Sequence, residues 1–128
     1  MKVSPAILGC VALVSAHGYE PGQARNNFAH ESATCAAYFL LASTAPGLDE
    51  QTTAGLYQRY MGLVEMSLAF SSAELTKARV ELATKTMKRE MSENWTNFSI
   101  INNKYGYPCR EVSDDPESRA RYWRDKAD

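Results

Sequence analysis

Histidine and cysteine are scarce in this sequence: two and three residues, respectively, among 128. There is no CxxC and no HExxH, and the histidines are scattered, so the spacing that a zinc centre needs is missing. There is also no GxGxxG and no P-loop lysine motif, the two common backbone cradles for nucleotide phosphates. No period-two run of β-branched residues is long enough to define a strand, which excludes a sandwich or barrel. Neither sign of charge dominates. The formal net charge is −1, so the molecule as a whole has no basic field that would draw it to nucleic acid or anionic lipid. No apolar run reaches the roughly 20 residues of a membrane-spanning helix.

The longest apolar stretch that does occur is Val3–Val14, preceded by Lys2 and followed by the small residues Ser15 and Ala16. A positive start, a short apolar core and small residues at a cleavage point make a secretory signal peptide. Residues 1–16 are therefore expected to be removed, leaving a periplasmic or secreted protein that begins at His17. Ile7-Leu8-Gly9-Cys10 loosely resembles a lipobox, but the apolar run continues past Cys10, where a lipidated cysteine would end it. Cleavage removes Cys10 and leaves one pair, Cys35 and Cys109. In an exported chain such a pair reads as a disulfide, closing a loop worth roughly 4 kcal/mol of chain entropy.

Residues 17–26 hold two glycines and a proline without periodicity and read as a flexible arm. Residues 27–128 read as a single all-α, four-helix domain. Asn26 or Asn27 can cap a first helix over about 28–43, with Phe28, Cys35, Tyr38, Phe39 and Ala42 largely on one face. Ala45-Pro46-Gly47 ends it. Asp49 caps a second helix over about 50–70, where Gly55 and Gly62 are costly unless they permit close helix approach. Ser71 and Glu74 form a capping box for one long third helix, about 72–105, with a break or kink near 92–94. Gly106 and Pro108 end that helix, and Asp115-Pro116 starts a short fourth one. This last helix must be held by packing, so Trp95, Phe98, Ile101, Tyr122 and Trp123 are expected to form one cluster.

His17 carries the sharpest chemical reading. A free N-terminal histidine with a second imidazole, such as His30, supplies the nitrogen donors that suit copper. His17-Gly18-Tyr19 resembles the mature start of copper-dependent polysaccharide oxygenases, which are β-sandwiches, and this chain lacks their strands. The expectation is therefore no metal site and no cofactor, with copper binding as the alternative. His30 has no visible nucleophile to pair with. The carboxylate pairs Asp49-Glu50 and Asp114-Asp115 sit at helix starts, where negative charge suits the dipole. Asn94-Trp95-Thr96 and Asn97-Phe98-Ser99 are formal glycosylation sequons within a helix. Met87, Met91, Trp95 and Phe98 form a stripe that reads as core, or as a groove carrying a small apolar ligand. Tyr107, Tyr122 and Trp123 are the interface candidates, since aromatics are enriched at binding surfaces.

Cys35-Ala36-Ala37-Tyr38-Phe39 and the Asn97–Tyr105 segment followed by Cys109 are similar to small exported bacterial helical proteins of uncharacterised function. The resemblance implies a cysteine pair joining the first helix to the end of a later one, and a short aromatic final helix, here Arg121-Tyr122-Trp123. It implies no activity. The functional expectation is an exported, non-catalytic protein that binds a protein partner.

Overall fold

A computed structural model describes residues 21–126. The proposed signal peptide, Cys10 and His17 lie outside them. The described residues are all helical in their regular structure, and five helices can be distinguished among them: α1 (Pro21–Ser43), α2 (Glu50–Phe70), α3 (Ala73–Glu90), α4 (residues 95–114) and α5 (Pro116–Asp125).

α1 is the axis around which the others pack, and it contacts all four. Its composition explains this. Ala29, Ala33, Ala36, Ala37, Phe28, Phe39 and Leu41 are all buried, together with Ser32. These positions cover a wider arc than the single face expected from the sequence, while Arg25, Asn26 and His30 stay exposed. A helix with so broad a buried arc packs against several neighbours, and its many alanines let them approach closely. α1 also begins at Pro21, within the stretch read as a flexible arm. Proline is compatible with a helix's first turn because the N–H it lacks would be unpaired there anyway. Asn26 is consequently inside the helix, where its Oδ1 accepts a hydrogen bond from Arg79 Nη2 at 2.7 Å.

The first turn of the fold follows the sequence closely. Gly47 adopts φ +84°, a left-handed conformation that glycine takes without strain. Asp49 then caps α2 by accepting from the Thr52 N–H at 2.7 Å. Ser72, not Ser71, caps α3: its Oγ accepts from Leu75 N–H at 3.1 Å, whereas the Ser71 hydroxyl donates back to the Ser67 carbonyl. Inside the bundle, the Ser67 hydroxyl donates to the Ala29 carbonyl at 2.9 Å and lies 3.0 Å from Thr76 Oγ1. This buried polar clasp joins α1, α2 and α3.

The long third helix expected from the sequence is two helices. α3 ends in a Schellman arrangement: Ser92 N–H bonds the Arg89 carbonyl and Glu93 N–H bonds the Lys88 carbonyl. Ser92 and Glu93 have φ +54° and +56°, left-handed values without a glycine. α4 then opens with a 3₁₀ turn (Trp95–Asn97), capped by Asn94, and does not stop at Gly106. It widens into a π turn (Asn102–Gly106) and continues as an α-helix through Tyr107–Asp114. The wider turn lets the chain carry Pro108, which has no N–H to donate, without ending the helix. Gly106 is needed there for space. A Cβ on it would lie 2.7 Å from Asn102 Oδ1 and 3.1 Å from the Tyr38 hydroxyl, two groups that hydrogen-bond each other at 2.7 Å.

Cys35 and Cys109 are bonded, with Cα atoms 5.1 Å apart, and the bond fastens α4 to the middle of α1. Asp115 restarts the chain as expected, accepting from Ser118 N–H at 3.1 Å. The expected single aromatic cluster is split. Trp95 packs at a tilt beside Phe98, and Phe98 stacks on Tyr38, while Tyr122 and Trp123 pair at the other end of α4. The cause is the continuation of α4 to Asp114, which moves the start of α5 beyond Phe98 and returns α5 along α1.

Candidate binding cleft between the first, fourth and fifth helices

A cleft of about 370 Å³ opens where α1, α4 and α5 meet. From α1 it is lined by Asn27, His30, Glu31, Thr34 and Cys35, whose spacing of three, four and seven places them on one side of the helix. From α4 come Lys104, Tyr105, Pro108 and Cys109, and from α5 comes Trp123. Cys35 and Cys109 belong to both lists, so the disulfide fixes two of the three walls against each other.

Two carboxylates hold the aromatic walls. Glu31 accepts from Arg119 Nε at 2.7 Å, from Arg119 Nη2 at 2.8 Å and from Trp123 Nε1 at 2.9 Å. This forked, charge-assisted contact is geometrically specific, and it orients the indole. The Arg119 guanidinium lies 4.0 Å from the Tyr122 ring centre, and the hydrogen bond to Glu31 raises its pKa. On the opposite wall, Glu90 accepts from the Tyr105 hydroxyl at 2.8 Å and from the Lys104 ammonium. Burial works against the charged Glu90, but the hydrogen bonds from Lys104 and Tyr105 outweigh it, and its pKa falls below the ordinary value. The Tyr105 hydroxyl is pushed up, first by burial and then by Glu90.

Around this cleft the structure gathers most of the residues singled out by sequence. His30 and Trp123 line it directly. Tyr122 is 43% exposed and lines a neighbouring hollow with Glu111, Asp115, Ser118 and Arg119. Tyr107 precedes Pro108 on α4, is 64% exposed, and donates its hydroxyl to Glu111 at 2.9 Å. Glu31, Arg119 and Lys104 carry the site's electrostatics and were not singled out from sequence. The only signal in the chain was an acidic residue beside His30. Its arginine partner is 88 positions away, a distance that sequence spacing cannot bridge.

The other candidates fall elsewhere. Met87 and Met91 are buried in the core, and Phe98 packs on Tyr38, so the protein's own side chains fill the methionine and aromatic stripe. Asp49 and Asp115 are helix caps. Asp114 pairs with Arg59 at 2.8 Å. Gly55 and Gly62 do not serve close helix approach, since a Cβ at either would meet nothing within 4 Å. Among the described residues, no three His, Cys, Asp or Glu side chains are grouped to hold a metal ion. None of the helices described is long and apolar enough to cross a membrane. No protein-family model, curated protein or solved structure matches the chain.

Proposed function

We propose that this chain is an exported, non-catalytic helical domain that binds a protein partner through the aromatic face at the α4–α5 junction. The observation that carries this reading is the pairing of exposure with order. Tyr107 and Tyr122 present large rings to solvent, yet each is tethered, Tyr107 by its hydroxyl bond to Glu111 and Tyr122 by the Arg119 guanidinium over its ring. Rigid, exposed aromatics lose little entropy on binding and are the residue type that anchors interfaces. The Cys35–Cys109 bond supports an oxidising compartment, in keeping with the export signal read from residues 1–16. A non-catalytic role is favoured because the cleft's carboxylate and its cysteines serve structure: Glu31 is held by Arg119 and Trp123, and Cys35 is in the disulfide.

The test is affinity capture of the mature protein's partner from its own envelope fraction, in parallel with Tyr107→Ala/Tyr122→Ala. Both side chains are exposed, so the variant should melt like the parent while losing the captured partner. Capture of the same partner in the same amount by the double variant would refute the proposal. Intact mass of the exported protein reports the cleavage site independently.

A further inference from the structure

The chemistry of a ligand for the cleft follows from counting which of its polar groups are still free. Glu31 is paired with a cation: one oxygen accepts from both Arg119 Nε and Trp123 Nε1, and the other from Arg119 Nη2. Glu90 is paired too, with one oxygen on the Tyr105 hydroxyl and the other on Lys104. A cationic ligand would meet carboxylates whose charge Arg119 and Lys104 already offset. Donors, by contrast, are left over. The Lys104 ammonium carries three N–H groups and uses one on Glu90. The His30 imidazole has no hydrogen-bond partner among the described residues, and it lines the same cleft. Asn27 and Thr34 add polar surface on α1, the Thr34 hydroxyl donating to the His30 carbonyl at 3.0 Å, and the rest of the wall is apolar or aromatic: the indole of Trp123, the ring of Tyr105, Pro108 and the disulfide. A volume of about 370 Å³ is at the small end of ligand sites, which run from roughly 300 to 1,000 Å³. It has room for one ring and a short tail.

We infer that the cleft takes a single ring bearing a carboxylate, with the ring held between Trp123 and Tyr105 and the carboxylate on Lys104 and His30. Such a group is either a free aromatic acid or the carboxyl terminus of a polypeptide ending in an aromatic residue. The second source rests on the partner-binding reading above, because it makes the cleft the socket for the partner's last residue. The indole and phenol are already oriented by Glu31 and Glu90, so the ligand orders little on entry. Lys104 is exposed and can turn from Glu90 to share its donors.

The experiment is titration of the intact chain with phenylacetate, phenylacetamide and phenethylamine, followed by the NMR signals of the Trp123 indole, Tyr105 and the His30 ring. Phenylacetate should shift all three saturably and bind at least about fivefold tighter than the neutral amide, the size of a charge-assisted contact over a neutral one. Phenethylamine should bind more weakly than either. Lys104→Gln should bring the acid and amide to equal affinity while the amide still binds. His30→Gln, also at an exposed position, should shrink the same ratio without touching the Glu90 pair. N-acetyl-alanyl-phenylalanine with a free terminus, against its terminal amide, separates the sources, since a polypeptide site binds that acid tighter than phenylacetate. Equal binding of acid and amide by the parent, tighter binding of the amine, or shifts centred on Trp95 would overturn the inference. Tyr107 and Tyr122 do not line the cleft, so these results are independent of partner capture, and either reading can fail alone.

Discussion

At Gly55, Gly62 and Gly106 the same residue type has opposite consequences. Glycine in a helix interior costs backbone entropy, about 0.5–1 kcal/mol relative to alanine. Gly55 and Gly62 have open space where a Cβ would sit, so Gly55→Ala and Gly62→Ala should each raise stability by about that amount, read from the denaturant midpoint. Gly106→Ala should lower it by about 1–3 kcal/mol, because the new methyl would collide with Asn102 and press on the Tyr38 hydroxyl. Ser92 is the reverse case: a left-handed residue, φ +54°, at the position where glycine normally ends a Schellman motif. Ser92→Gly should stabilise the fold by about 0.5–1 kcal/mol, provided the flexibility added to the unfolded chain does not cancel it. A lower melting temperature for this variant would mean that Ser92 makes a compensating contact. Glu90 supplies a pH-dependent contribution. Its folded pKa lies below the ordinary 4.5, so its contribution is fully present above 4.5 and is lost as pH falls from there through the lower folded pKa. The side chain is partly exposed, and the effect is modest: Glu90→Gln should cost under about 1 kcal/mol at pH 7. The difference from the parent should disappear by acid melts below the carboxylate range.

At the scale of the helix, α5 is the least self-sufficient part. It has ten residues, too few to be stable alone in water, and none of its described residues is fully buried. It is held by Arg119 and Trp123 on Glu31 of α1 and by the cap at Asp115. Trp123→Ala should therefore cost about 2–3 kcal/mol, less than a fully buried tryptophan, and Trp123→Phe should recover the packing while losing the Glu31 bond. Hydrogen exchange should show the α5 amides opening first in both variants. If α5 keeps the parent's protection in Trp123→Ala, then Arg119 alone holds it. α2 and the start of α5 were legible from sequence because their signals are local: Asp49 caps one, Asp115-Pro116 opens the other, and both act within three residues. The π turn was not legible. Gly106 and Pro108 are stop signals in isolation, and that the Gly106 position faces the Tyr38 hydroxyl of α1, where a side chain would be crowded, is set only in the folded chain.

For the whole molecule, the disulfide and the buried axis decide stability together. Cys35–Cys109 spans 74 positions, so it removes a large loop's worth of freedom from the unfolded chain. The Cys35→Ala/Cys109→Ala double variant should lose about 2–4 kcal/mol. Because the bond also joins two walls of the cleft, that variant should lose phenylacetate binding before it loses helicity. Circular dichroism and the Trp123 indole signal, followed through one denaturant titration, would check this, and coincident loss of both would argue against a separate role for the cleft walls.

The helical class, the span of α2, the caps at Asp49 and Asp115, and the pairing of Cys35 with Cys109 were all legible in the order of residues. Each of these rests on residues close in the chain, or, for the cysteines, on the expectation that Cys10 is removed with a signal peptide. Only the packed chain shows that α1 is buried over a wide arc, that the third and fourth helices are separate, and that α4 runs through Gly106. It alone brought Glu31 to Arg119 and Trp123, and His30 to Lys104. The reason is physical. Caps and turns satisfy backbone groups within one turn of helix, whereas a cleft is assembled from side chains that meet only after the chain has collapsed around its most buried helix.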